Sequence, residues 1–446
     1  MVSKCRETLE GNPDELGLAA MLESWGITDA SAKELYGADD VFSLARSLQV
    51  RLQVEERGVG LAPARVPLLT PAWLLRGATY LPSALFVVIA LSHDVAGAAA
   101  VAFAVVTCIG WGVSEAVSHI AHAAINRGGL GAIRRTFEQV LIAGAPLAAV
   151  AAVSTSVASG SVTAGLLIGV QLLYLLAATI LLPQGREGML LIALSPALVA
   201  AALAFHGSGP RYFVEILALS LVGEIVVIIV IVVRLRRAER HGHGAPTRAD
   251  LVAASPFLVA GVAMGVFALA CTSIVLEQIG SRRALIGLIV PLMLSMGLSE
   301  IGIRRYQHTV QRDLVMSVRL GQFAGRARRR VLVYASTYLA LLVALVVGAR
   351  AIGPDGTTPS SFASYALIGL LGMSLFLTLV HMVIDHVVPV ATTYSVAALV
   401  LVGWFVDHGA ATRGIVQPLA VSIALVTVLL ASALVAVAHP ARHGFG

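Results

Sequence analysis

Gly112-Val113-Ser114-Glu115 recurs 185 residues later as Gly297-Leu298-Ser299-Glu300, and each tetrapeptide closes a long apolar run and opens into an Arg-rich stretch. Arg134-Arg135 then precede the next apolar run of the first copy, as Arg328-Arg329-Arg330 precede that of the second. Further on, Leu167-Ile168-Gly169 matches Leu367-Ile368-Gly369 at an offset of 200, the growth falling in longer loops. Agreement in order, in polarity and in loop charge points to a duplicated chain, each copy holding six apolar runs. Because six is even, both copies enter the membrane from the same side, so the repeats are parallel and related by an axis along the membrane normal.

Composition agrees with a membrane setting. Of 446 residues, 58% are apolar and 13% charged, and the mean hydropathy is +0.87; soluble domains run near ~45–50% apolar and ~25% charged. Twelve apolar stretches near 72–91, 95–114, 136–155, 163–182, 189–206, 213–233, 251–274, 284–303, 331–349, 362–384, 388–406 and 415–438 are each long enough to span. The expected fold is therefore all-α and integral to the membrane, with about 12 transmembrane helices in two pseudo-symmetric six-helix lobes. Cytosolic enzyme, disordered chain and disulfide scaffold are excluded. Cys5, Cys108 and Cys271 form no CxxC or Cys/His spacing, so no metal or cofactor is expected.

Charge divides the chain. Residues 1–60 carry eleven acids against six bases, a net of −5 that leaves +11 on the remainder. Residues 1–65 read as a small acidic helical module, with Leu16, Leu18, Met21 and Leu22 in one stripe and Val41, Leu44, Leu48 and Leu52 in another. Residues 66–234 form the first lobe, 235–250 a basic linker and 251–446 the second lobe. Met1 opens a polar stretch unlike a signal peptide, which places the N-terminus in the cytosol. With that orientation eighteen Arg fall in inner loops and five in outer ones, as the positive-inside rule asks. Both termini are then cytosolic, and the site is the cytoplasmic membrane. Arg supplies 29 of the 31 basic residues, the mark of a GC-rich, bacterial genome.

Two parallel six-helix repeats are the plan of transporters with a site between lobes. The Gly/Asp/Arg-rich motif of the major facilitator superfamily is absent between spans two and three. Instead Ser114-Glu115-Ala116-Val117-Ser118-His119-Ile120-Ala121-His122, then Asn126-Arg127-Gly128-Gly129 and Ile133-Arg134-Arg135, resemble the multidrug, oligosaccharidyl-lipid and polysaccharide exporters, the superfamily of MATE, lipid II and polysaccharide flippases. In that family a helix two, a small-residue turn and a basic amphipathic helix lead into span three, and the pattern recurs between spans eight and nine. The resemblance implies a two-lobed exporter that moves a large amphiphile, often a polyprenyl-diphosphate-linked glycan, across the cytoplasmic membrane. Membrane lipids and a lipid-linked glycan or other amphiphilic cargo are the expected partners, with a cytosolic protein at the N-terminal module and no nucleic acid.

Charged groups at bilayer depth mark the candidate site, since each costs about 2.5–3.5 kcal/mol on insertion scales. Glu224 lies mid-span in Val222-Gly223-Glu224-Ile225, an aliphatic setting that penalises the ionised carboxylate and suits a proton carrier. Against that stands a protonated carboxyl bonded to a neighbouring helix. His381 and Asp385, spaced i, i+4 on one helical face beside His386, would relay protons, line the cargo cavity or cap a helix end. Gln171 and Tyr174 are their polar counterparts in span four. Glu115 and Glu300, beside Ser114 and Ser299 at the inner span ends, would pair with basic loop helices, Arg134 and Arg135 among them, as inner gates. Arg76 in span one and Arg282 and Arg283 at an outer mouth would hold a phosphate or other anionic headgroup, Arg offering a fork that fits phosphate oxygens. Snorkelling of Arg76 to the interface is the plain alternative.

Enzyme signatures are lacking. There is no DDxxD-like, GxSxG, HExxH or P-loop motif, and the outer loops are too short for a membrane glycosyltransferase. No enzymatic activity is expected. A proton- or cation-coupled multidrug antiporter of the same fold remains open at this point, as does a non-transporting scaffold that recruits partners through residues 1–65.

Overall fold

The computed structural model describes residues 15–36, 38–56, 75, 78–79, 98–128, 134–184, 186–205, 213–237, 247–279, 282–315, 320–352, 362–407 and 414–438. Among them all regular structure is helical. That follows from the solvent: within hydrocarbon each backbone N–H and C=O must be satisfied inside its own segment, which a helix achieves.

Three short helices form the acidic module: α1 (Glu15–Ser24), α2 (Asp29–Tyr36) and α3 (Val41–Glu56). Leu18, Met21 and Leu22 of α1 meet Ala32 of α2 and Val41, Leu44 and Leu48 of α3 in a core of their own. Leu16, expected in that stripe, is 69% exposed, because two residues of helix turn it ~200° from Leu18; the side chain of Leu52 lies outside the described residues. Asp40 caps α3. Its Oδ1 accepts the Ser43 N–H at 2.6 Å, and that bond, helped by the Ser43 hydroxyl and the charge of Arg46, holds the carboxyl below the usual aspartate range.

Five long helices make the first lobe: α4 (Ala98–Gly128), α5 (Arg134–Ser159), α6 (Val162–Leu181), α7 (Glu187–Phe205) and α8 (Phe213–Arg237). At its centre α6 packs on the other four, and its buried Leu167, Val170 and Tyr174 share a cluster with Phe103, Phe137, Leu194 and Leu217. At the rim, α5 exposes Ile142, Leu147, Val150, Val153 and Val157, a face fit only for lipid.

Six helices make the second lobe: α9 (Arg248–Ile279), α10 (Arg282–Val315), α11 (Leu320–Ile352), α12 (Phe362–Val383), α13 (Val387–Asp407) and α14 (Val416–Ala436). Here α12 is central, touching all five others, around Phe267, Tyr306, Phe376 and Tyr394. The Leu-Ile-Gly matches therefore fall on the two central helices, α6 and α12.

Among the described residues nine helices are long and apolar enough to cross a membrane, with shorter apolar stretches at Glu187–Pro196 and Leu217–Val233. The first predicted span, 72–91, lies almost wholly outside the described residues. Two boundaries differ from expectation. α4 runs thirteen residues past Glu115 and α10 fifteen past Glu300, so these carboxylates are mid-helix rather than at span ends. No Pro or Gly follows either until the helix is well past the tetrapeptide, apart from Gly302, and nothing stops the helix there. Likewise Arg282 and Arg283 are the first residues of α10, not part of an outer loop.

Candidate functional site

The lobes meet chiefly where α4 crosses α9. Small residues make that approach possible. A Cβ on Gly112 would lie 2.6 Å from the Leu258 carbonyl oxygen, and one on Gly261 would lie 2.6 Å from Cα of Gly112. A turn away, a Cβ on Gly265 would meet Cys108 at 3.0 Å. Cys108-x3-Gly112 on one helix and Gly261-x3-Gly265 on the other thus form the small-residue pattern that lets helix backbones touch in lipid.

Polar groups flank the seam. The ring of His119 on α4 stacks on Phe257 of α9, centroids 4.0 Å apart at 25°. Asp385, Asp250 and His122 lie near enough for their charges to act on it. Glu115 of α4 lies near enough to Glu300 of α10 for their charges to interact. Glu300 also pairs with Arg304 of its own helix at 3.4 Å, and Ser299 donates to the Met296 carbonyl oxygen at 2.6 Å. The hydroxyl of Thr179 in α6 sits 2.7 Å from Ser114 Oγ and 2.7 Å from the Leu175 carbonyl oxygen. Arg330 of α11 pairs with Asp313 of α10 at 3.2 Å. Arg134 and Arg135 open α5, but their side chains lie outside the described residues, as do those of Arg282 and Arg283, while Arg76 lies outside entirely.

Inside the first lobe Glu224 of α8 is completely buried, and among the described residues neither carboxylate oxygen has a hydrogen-bond partner. Gln171 of α6 is 1% exposed, and its Oε1 likewise has no partner among the described residues. One turn on, Tyr174 donates to the carbonyl oxygen of Thr79 at 2.6 Å, so Gln171 and Tyr174 share the face of α6 turned to span one. Glu224 lies one turn beyond Leu221, whose methyl would be 3.6 Å from a Cβ on Gly169. α6 and α8 run parallel, and Gln171 is two residues beyond Gly169, which sets the amide and the carboxylate at similar depth.

In the second lobe several buried hydroxyls are bonded to one another. Ser295 and Tyr338 share a hydrogen bond at 2.9 Å, and Thr378 donates to the Tyr394 hydroxyl at 3.2 Å. His381 is completely buried, its Nδ1 2.8 Å from the Leu377 carbonyl oxygen, with its ring stacked on His386 at 5.7 Å. Asp385 does not continue its helical face: α12 ends at Val383, and Asp385 takes a left-handed turn with φ +50°. Among the described residues no three of His, Cys, Asp and Glu converge as a metal ion would need.

Sequence reasoning passed over His119, Asp250, Phe257 and the small-residue seam. The seam was legible, since both small-x3-small spacings stand in the chain; the stacking of His119 on Phe257 was not, because the two rings stand on helices 138 residues apart in sequence.

These features define an all-helical, multi-pass integral membrane protein with two helical bundles that meet along a close-packed seam. No family model matches the chain, and no curated protein does. Solved structures do. A MATE protein in complex with Br-NRF is similar over 81% of this chain and 91% of its own, at 12% identity and a TM-score of 0.44. An outward-facing multidrug resistance MATE family transporter of the MOP superfamily covers 96% and 95%, at 14% identity and a TM-score of 0.41. A MOP superfamily transporter from Pyrococcus furiosus covers 96% and 95%, at 14% identity and a TM-score of 0.36.

Proposed function

We propose that the protein is a membrane exporter working by alternating access, its two lobes rocking about the α4–α9 seam, and that it flips a lipid-linked saccharide or polysaccharide of the cell envelope. The observation that carries the transport reading is Glu224: a completely buried carboxylate with neither oxygen bonded among the described residues is costly to keep in a fold that needs it only for packing. A group that takes and releases a proton as its lobe opens and closes accounts for that cost. Gln171 and Tyr174 would complete its polar pocket in the first lobe, with His381 and Asp385 serving cargo from the second. Phosphate recognition would fall to Arg76, Arg282 and Arg283, and the Glu115/Glu300 level with Ser114, Ser299, Arg134 and Arg135 would form the inner gate. In this scheme residues 66–234 and 251–446 are the moving lobes, and residues 1–65 dock a cytosolic partner.

A proton-coupled multidrug antiporter is the second reading, favoured by the sign of the charge. Among the described residues the fully buried ionisable side chain of the first lobe is an acid, which suits a cationic cargo. Purified protein in liposomes under an imposed pH gradient separates the two. Transport of a labelled polyprenyl-diphosphate saccharide supports the first reading, and exchange of a cationic dye alone supports the second. Glu224→Gln is expected to abolish the effect of the gradient on either cargo. Unchanged pH dependence in that variant overturns the coupling role.

A further inference from the structure

Helices α7 and α8 are the last two of the first lobe, as α13 and α14 are of the second, yet the two pairs are packed differently. Gly223 brings α8 so close to α7 that a Cβ there would lie 2.8 Å from the Ala193 carbonyl oxygen. Between α13 and α14 there are instead two open cavities of about 430 Å3 and 400 Å3 that share Val400 and Val421 and so adjoin along the helix pair as one groove. Toward its inner end the groove is lined by Thr392, Ala424 and Val428. Toward its mouth it is lined by Trp404, Ala420, Asp407 and Gln417.

Depth and chemistry both bear on the occupant. Asp407 is the last residue of α13 and Gln417 the second of α14, so the mouth lies where the helices leave the apolar layer. From Gln417 to Val428 the helix rises ~16 Å at about 1.5 Å per residue, and half of a ~30 Å hydrocarbon core is about 15 Å. The groove therefore runs the depth of one leaflet. Its walls are mostly aliphatic, and its mouth offers a carboxylate, an amide and an indole.

We propose that the α13–α14 groove is a binding site for one acyl chain of a phospholipid whose headgroup carries a primary amine, the ammonium being held by Asp407 and Gln417. The carboxylate selects the cationic amine over an uncharged or anionic headgroup through a charge-assisted hydrogen bond. This site lies on the flank of the second lobe, away from the α4–α9 seam, and holds a resident lipid rather than cargo. It holds whether the cargo is a glycolipid or a drug.

Native mass spectrometry of the full chain, released from nanodiscs of equal parts phosphatidylethanolamine and phosphatidylglycerol, tests it. The wild type is expected to retain one phosphatidylethanolamine with about tenfold preference, the scale of a single charge-assisted hydrogen bond. Ala420→Trp, which fills the groove, should lose that lipid. Asp407→Asn, which leaves packing intact, should keep one lipid but lose the preference between headgroups. Equal retention of the two lipids by the wild type overturns the proposal. So does lipid retention that Ala420→Trp leaves unchanged, and so does a dimer that this variant dissociates, since a second copy would then be the occupant.

Discussion

Adding one methyl group at the seam should loosen the two lobes, and the effect can be sized from the structure. In Gly261→Ala the new Cβ would stand 2.6 Å from Gly112 Cα, 3.0 Å from the Gly112 nitrogen and 3.2 Å from the Trp111 carbonyl oxygen. Carbon atoms prefer ~3.5–4.0 Å, so the helices must part by roughly 1 Å. All three obstacles are backbone, which has no rotamer to swing aside, and the strain has to be relieved by separation. Overpacking of this kind costs ~1–3 kcal/mol, a shift of about 5–150-fold in an equilibrium between two states. Cys108 reports it. That thiol is 4% exposed and lies against Gly265, so alkylation by a water-soluble maleimide requires the seam to open. In a Cys5→Ser, Cys271→Ser background, Gly261→Ala should raise the labelling rate of Cys108 within that range. Gly188→Ala, at a helical position with no atom within 4 Å of the added carbon, should leave it unchanged. Equal labelling rates in wild type and Gly261→Ala would refute the seam as the place where the lobes part.

Two further outcomes follow from local structure. Asp385→Asn should keep thermal stability within about 0.5 kcal/mol, because Asn tolerates the left-handed region, whereas Asp385→Val should lose ~1–2 kcal/mol there; a calorimetric melt of both variants checks this, and equal melting points would remove the backbone argument. In the acidic module, Asp40 has its pKa lowered on folding, so its contribution is fully present above the unfolded value near ~3.9 and is lost as pH falls through the lower folded one. Asp40→Ala should therefore make residues 15–56 more susceptible to limited proteolysis at neutral pH. The difference from wild type should shrink in acid below about pH 4, and a pH-independent difference would contradict the capping role.

Hydrophobic run length and the repeated tetrapeptide were enough to read an all-helical membrane chain with two related halves. Those signals are local or additive, and the bilayer enforces them by denying backbone groups any partner outside the helix. Burial of Glu224 was legible for the same reason: a lone acid among aliphatics has few places to go. Spacing alone misread Asp385, because the i, i+4 pattern holds only while the helix continues, and α12 stops at Val383. It also set Glu115 and Glu300 at span ends, since a fall in hydropathy looks like a helix end when the helix in fact runs on. What the chain could not show is which face meets which. The stacking of His119 on Phe257 and the bond from Tyr174 to the Thr79 carbonyl each join residues far apart in sequence. In lipid, where apolar residues are equally at home against a neighbour or against the bilayer, hydrophobicity cannot choose the packing; close backbone approach and a few polar contacts choose it, and those exist only once the helices have assembled.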